Sequence, residues 1–244
     1  MSTLFVPAVF QPVLTPMTEL VTTGCTMLTI DTSFTSPHLK LGERFVEVEA
    51  RLGKHGDKGF TSGVTPAMFD SIENKLQSFK GWSFASQQWE CVHDYLYTVD
   101  DHVIRTRKVF LQDVLVEHVV KKRIKNVDVV CSGKPPALFN TVDIRGSLSV
   151  EQHVVLPEGF TVHPSLVTHK LQKRFKYKNW FFALSKTQRP DVEEVLEVEI
   201  EYTHLEEATG NTDVQQYIAL GLLMKLVDFY PVFGMPYVLL PAKK

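Results

Sequence analysis

Residues 44–52 read RFVEVEARL, and residues 195–202 read VLEVEIEY. Both alternate apolar and polar residues, the mark of a strand with two unlike faces. Side chains two positions apart share a face. Glu47, Glu49 and Arg51 therefore line up in the first stretch, and Glu197, Glu199 and Glu201 in the second. Like charges then stand about 7 Å apart in one row, which repels itself unless a cation intervenes. The same single-sided rows recur between these two stretches. HVIRTRK groups Arg105 with Arg107, VKKRIK groups Lys121, Arg123 and Lys125, TVDIRGSLSVEQ groups Asp143, Arg145, Ser147, Ser149 and Glu151, and HKLQKRFKYK groups Lys170, Gln172, Arg174 and Lys176. A solvated outer face accounts for any one of these strands. It does not account for their segregation: residues 191–207 carry eight acids and no Lys or Arg, while residues 166–178 carry five bases and no acid. Acidic strands beside basic strands suit an interior that holds a divalent cation and a polyanion together. Carboxylates satisfy a hard ion such as Mg²⁺ or Mn²⁺, and Arg and Lys neutralise phosphate.

The rest of the chain fits one such domain spanning residues 1–244. Its 244 residues are long for one small domain and short for two, and 44% apolar with 22% charged residues exclude disorder, collagen and coiled coil. The net charge of −2, from 26 bases and 28 acids, argues on its face against a phosphate-rich partner. That average conceals the two opposite concentrations just described. Strands are expected at Arg44–Leu52, Trp89–Val99, His102–Leu111, Leu115–Val130, Asn140–Val155, Thr168–Lys178, Trp180–Lys186 and Val195–His204. No helix separates neighbouring members of the run from Trp89 onward, so βαβ units are excluded and an α+β fold with an antiparallel barrel of about eight strands is expected. Thr65–Pro66 starts a helix whose stripe is Phe69, Ile72, Leu76 and Phe79, ended by Gly81. A second helix is expected over Asp213–Phe229, capped by Asp213 and with Pro231 beyond it. Both would cover the apolar outside that a barrel with a charged interior must have. The first forty residues, broken by Pro7, Pro12 and Pro16, read as an irregular wrap with one short helix. Lys54–Gly63 reads as a loop or hairpin.

Cys25, Cys91 and Cys131 are odd in number and far apart, which points to a reducing compartment. The histidines form no HxH or HxxxH pair and no Walker sequence is present, so neither a zinc site nor a P-loop is expected. Apolar runs such as Ile218–Leu223 are too short to span a bilayer and the N-terminus has no basic leader, so a soluble intracellular protein without a membrane partner is expected.

EVEAR at 47–51 and EVEIE at 197–201 resemble the two glutamate motifs of the triphosphate tunnel metalloenzymes. KKRIKNVDVV, NTVDIRGSLSVE, HKLQKRFKY and VLEVEIEY follow in the order of the fungal and protozoan RNA 5′-triphosphatases of mRNA capping, and the small size resembles the protozoan form. The resemblance spans Val46 to Tyr202. It implies an eight-stranded antiparallel β tunnel with helices packed outside. It also implies a hydrolase that releases the γ-phosphate of triphosphate-ended RNA with Mn²⁺ or Mg²⁺, leaving a diphosphate end. The metal glutamates would be Glu47, Glu49, Glu199 and Glu201, with Glu197 beside them. Arg51, Arg105, Lys121, Arg123, Arg145, Lys170 and Arg174 would hold phosphate, with Arg107 and Lys176 as same-face neighbours and Ser147 donating a hydrogen bond. Glu151 would orient or deprotonate the attacking water, and Arg145 and Arg174 would join it as catalytic groups. The resemblance further implies nuclear residence and an RNA guanylyltransferase partner, and leaves monomer and homodimer open. Two strands depart from the fungal pattern. Gln172 stands where a lysine would be, and Phe181 and Ala183 stand where an arginine and an aspartate would be, with Ser185 keeping a hydroxyl.

Four other functions compete. Inorganic tripolyphosphatase, thiamine triphosphatase and a class of adenylate cyclase share the tunnel but typically carry ExExK where this chain has ExExR. A non-catalytic RNA- or anion-binding barrel would show no metal-dependent hydrolysis. Replacing Glu49 or Glu201 by Ala is expected to remove activity yet spare the fold, since the glutamates repel one another without metal.

Overall fold

The computed structural model describes residues 10–30, 34, 39–99, 102–109, 114–131, 142–190, 192–228 and 237–239. The strands are β1 (Lys40–Gly56), β2 (Gly59–Ser62), β3 (Phe84–Ala85), β4 (Glu90–Val99), β5 (His102–Val109), β6 (Val114–Cys131), β7 (Asp143–Val155), β8 (Leu166–Tyr177), β9 (Trp180–Arg189), β10 (Val192–Tyr202) and β11 (Tyr237–Leu239). The helices are α1 (Gln11–Thr29), α2 (Pro66–Ser78) and α3 (Thr212–Asp228). Eight strands run antiparallel in the order β10-β9-β8-β4-β5-β6-β7-β1, and β10 pairs with β1 to close a barrel. The expected fold is thus the observed one. Asn140, Leu111, Phe229 and Pro231, named in the expected boundaries, lie outside the described residues.

Closure is what inverts the usual polarity. The apolar set of β1 and β10 (Val48, Ala50, Val198, Ile200) points outward and is fully or nearly fully buried beneath helices. From α1 come Val13, Met17, Leu20 and Val21, and from α3 Ile218, Leu222, Leu223 and Leu226. α2 covers another part of the wall with Met68, Phe69, Ile72 and Leu76. The charged rows therefore face the lumen.

Local departures have physical causes. α1 is nineteen residues long rather than short: Pro12 sits in its first turn, where a missing N–H costs nothing, and Pro16 is held inside by the apolar face. Thr65 caps α2 by accepting from the Met68 N–H, but the helix stops at Ser78, and Phe79 is the C-cap, 45% exposed, rather than part of the stripe. Asn211, not Asp213, caps α3 by accepting from the Val214 N–H at 3.2 Å. Residues 54–63 extend β1 into a hairpin with β2. The register of β6 slips between Arg123 and Lys125. Arg123 stays inward, whereas Lys125 turns outward to within 3.7 Å of Glu19 on α1. The row of three bases expected there is broken by that bulge.

The helix layer leaves no room to spare at one contact. A Cβ on Gly221 of α3 would stand 2.5 Å from the Trp180 ring. Gly221→Ala is expected to cost about 1–3 kcal/mol through overpacking, read as a lower urea midpoint with unchanged slope.

Candidate active site

The lumen is a cavity of about 430 Å³ lined by Glu47, Arg51, Glu90, Arg105, Arg107, Glu117, Lys121, Glu151, Lys170, Gln172, Arg174, Ser185, Glu197, Glu199 and Glu201, with Phe45, Val92, Val109, Phe181, Phe182 and Ala183. Cross-strand register brings the two glutamate rows together: Glu49 faces Glu201 and Arg51 faces Glu199 across β1 and β10. Carboxylate oxygens of Glu47, Glu49 and Glu199 lie within 4.8 Å of one another.

Basic residues from other strands reach this cluster. Lys121 Nζ contacts Glu47, lies 2.7 Å from Glu151 and 3.8 Å from Glu49. Arg123 donates to Glu49 at 2.8 Å, Arg51 donates to Glu49 at 2.9 Å, and Arg51 Nε lies 3.1 Å from Glu199. Ser149 donates to Glu47 at 3.0 Å and Thr187 donates to Glu197 at 2.7 Å. The donors are all oxygen, the geometry converges, and an ammonium group already sits at the focus. The cluster therefore fits a hard divalent cation.

Neighbouring charges split the glutamates into two electrostatic classes. Burial pushes the Glu49 carboxyl up, but Arg51, Lys121 and Arg123 outweigh it and hold that carboxyl well below the usual range. Burial and the adjacent carboxylates push Glu201 up to about 7. Burial, with Glu49, takes Glu199 to about 7 despite Arg51. Glu47 is raised by burial and by Glu49. Glu151 is lowered, since Lys121 and Arg105 outweigh its burial.

A second network, on β4, β5, β6 and β8, faces the glutamates. Arg107 donates twice to Asp94, at 2.7 and 3.0 Å, and Lys170 lies 3.2 Å from the same carboxylate. Arg105 donates to Glu117 at 2.7 Å and stands 3.6 Å from Glu151. The Arg105 Nε–H is buried with no hydrogen-bond acceptor among the described residues, a donor still open to an anion.

Not every expected residue lines this cavity. Arg145 keeps to the inward row of β7, but its guanidinium is bidentate to Asp128 at 2.6 and 2.8 Å and stacks on Phe60 at 4.6 Å. Ser147 donates to Asn126 at 3.0 Å. Arg123 is spent on Glu49, and the Lys176 ammonium lies over the Phe181 ring. Asp94 and Glu117 were not foreseen. Asp94 could have been found by counting inward along the ladder from the Val99–His102 pair, which matches it with Arg107. Glu117 gives no such signal, because the β5–β6 register also slips, between Arg107 and Lys108. On β9, Phe181 faces Glu201, Ala183 faces Glu199 and Ser185 faces Glu197, so that strand brings no carboxylate to the cluster.

No protein-family profile matches this sequence, and no curated protein is significantly similar to it. Solved structures do resemble it. The RNA triphosphatase Pct1 of S. pombe superposes with a TM-score of 0.65 at 18% identity, covering 94% of this chain and 98% of that one. Pct1 in complex with the Spt5 CTD gives 0.64 at 17% identity with the same coverage. The chain thus shares its closed barrel, with helices outside, with the triphosphate tunnel of an RNA triphosphatase.

Proposed function

We propose that this chain is a metal-dependent RNA 5′-triphosphatase that removes the γ-phosphate from triphosphate-ended RNA and leaves a diphosphate end. One observation carries the proposal: a closed lumen in which converging carboxylates face a basic wall, of a size for a chain of phosphates. Glu47, Glu49, Glu199 and Glu201 would hold Mn²⁺ or Mg²⁺, which when bound would neutralise negative charge on the phosphoryl oxygens. The protein's own groups do the rest. Arg51, Arg105, Arg107, Lys170 and Arg174 bind the phosphates and hold the γ-phosphoryl in line, stabilising charge on the leaving β-phosphate oxygen. Glu151 accepts a hydrogen bond from the attacking water. Held ionised by Lys121 and Arg105, it is a weak proton acceptor, so it orients the water more than it deprotonates it. Arg145, committed to Asp128 and Phe60, takes no part in phosphate binding here and braces one end of the lumen.

Capping chemistry would place the chain in the nucleus and beside an RNA guanylyltransferase. No described helix is long and apolar enough to cross a membrane. The test is phosphate release from a triphosphate-ended oligoribonucleotide and from inorganic tripolyphosphate, with and without Mn²⁺ or Mg²⁺. The proposal expects metal-dependent release of one phosphate per RNA end, and loss of that release in Glu201→Ala. Equal release from wild type and Glu201→Ala would refute it, and hydrolysis confined to tripolyphosphate would assign the tunnel to free polyphosphates.

A further inference from the structure

One register row crosses the barrel wall from solvent to the metal glutamates. On β3, Phe84 is the cross-strand partner of Lys176 on β8. Lys176 is the partner of Phe181 on β9. Phe181 is the partner of Glu201 on β10, and Glu201 that of the buried Glu49 on β1. Directly paired residues project to the same face, so Phe84 lies on the inward-facing side, just beyond the point where β4 gives way to β3 along β8. The next residue, Ala85, turns the other way and packs against the helix-covered core, as does the nearby Trp82. Phe84 is left 49% exposed.

The pieces between Phe84 and Glu201 are suited to a phosphate chain. The Arg174 guanidinium and the Lys176 ammonium lie over the Phe181 ring at 5.1 and 5.0 Å; Arg174 and Phe181 line the lumen, and Lys176 stands between Phe181 and Phe84 along the row. Strands are spaced about 4.8 Å apart, so Phe84 stands about 14 Å from Glu201 measured along the curved wall. That span is comparable with the reach from a terminal phosphate to the base of the nucleotide carrying it. The ionic lumen accommodates phosphates, whereas a planar base finds its apolar surface at Phe84.

We infer that Phe84 is a stacking platform for the first nucleobase of the substrate, with Lys176 and Arg174 gripping the phosphates between it and the glutamate cluster. The inference rests on the triphosphate-end reading and deepens it: the substrate would be a nucleoside-bearing triphosphate rather than free polyphosphate. Stacking tolerates every base, so no sequence preference follows.

The test compares binding of two 3′-labelled, 5′-triphosphate oligoribonucleotides that differ only in whether the first nucleotide carries a base, by fluorescence anisotropy with Mn²⁺ in a short titration. Stacking on one aromatic is worth about 1–3 kcal/mol, so wild type should prefer the base-bearing oligonucleotide by about fivefold or more. Phe84→Leu should bring that ratio close to one, and Phe84→Trp should keep it. A wild-type ratio near one, or a ratio unchanged in Phe84→Leu, would overturn the platform. Because the readout is a binding ratio, it decides this point even if no phosphate is released, an outcome that would instead count against the hydrolase reading.

Discussion

Glu201→Gln is expected to stabilise the metal-free protein near neutral pH while abolishing metal-dependent phosphate release, whereas Glu49→Ala should lose both activity and stability. The two residues face each other and belong to the same cluster, yet their surroundings differ. Burial and the neighbouring carboxylates push the Glu201 carboxyl up to about 7, so its charge opposes folding once ionised. Each unit of such a shift is worth about 1.4 kcal/mol. After sharing among coupled carboxylates, removing the charge should gain about 1–2 kcal/mol, a rise of roughly 3–6 °C in the thermal midpoint for a chain of this size. Glu49 is fully buried and is held by Arg51, Arg123 and Lys121. Truncating it strands those cations, a loss of about 3–5 kcal/mol. Activity should fall roughly a hundredfold or more in both variants. Thermal melts of the two variants without divalent ion check the contrast. Equal destabilisation would mean that Glu201 is held by the fold as firmly as Glu49. The sequence-based expectation that either glutamate can be removed without harming the fold is therefore kept as a prediction for Glu201 and replaced by its opposite for Glu49. Mutual repulsion among acids is visible in a strand sequence, but the three bases that reach Glu49 come from two strands, and only β1's own Arg51 is adjacent in sequence.

What the sequence made legible follows from the period of two. Once a strand is assigned, its alternate residues share a face, and that was enough to place Glu47, Arg51, Lys121, Glu151, Lys170, Arg174 and the three glutamates of β10 on one lumen. The same logic fails wherever the ladder slips. The bulge after Arg123 sends Lys125 to the outside and brings Asn126 and Asp128 inward, opposite Ser147 and Arg145. Those two inward residues then take up side chains that had been assigned to phosphate. Pairing partners are equally hidden. Asp94 is an isolated acid in the middle of the aromatic-rich β4, and its value lies in facing Arg107 and Lys170 on the strands to either side. The unusual residues of β9, Phe181, Ala183 and Ser185, stand on the inward face. Their consequence, a lumen wall where Phe181 supports Lys176 and Arg174, needed the cross-strand neighbours to appear. α1 was obscured for a different reason: its prolines lower local helix propensity, and only packing of Val13, Met17, Leu20 and Val21 against the barrel overrides them.

The same carboxylates dictate how the metal-free protein answers to pH. Glu199 and Glu201 carry folded-state values of about 7 against an ordinary 4.5, and Glu47 is raised as well. A raised carboxyl favours the folded state when protonated, so its contribution is present in acid and is lost as pH climbs from about 4.5 through about 7. Glu49, Asp94 and Glu151 are shifted the other way, and their contribution is lost only below about 4.5, outside that window. His93 and His118, lowered chiefly by burial, oppose the trend weakly as they protonate below their ordinary 6.5. The metal-free protein is therefore expected to melt several degrees higher at about pH 5.5 than at about pH 8, a difference on the order of 2–4 kcal/mol. Mn²⁺ should reverse the order. A cation binds the ionised carboxylates and competes with their protons, so the stabilisation it adds grows with pH. Melting curves at the two pH values, with EDTA and with saturating Mn²⁺, give four midpoints. A higher midpoint at the alkaline pH in EDTA would show that the glutamates are not crowded as the lumen geometry requires. A pH-independent gain from Mn²⁺ would place the ion away from Glu199 and Glu201. In Glu201→Gln, the pH dependence in EDTA should shrink by roughly a third to a half, because one of the three raised carboxylates has been removed.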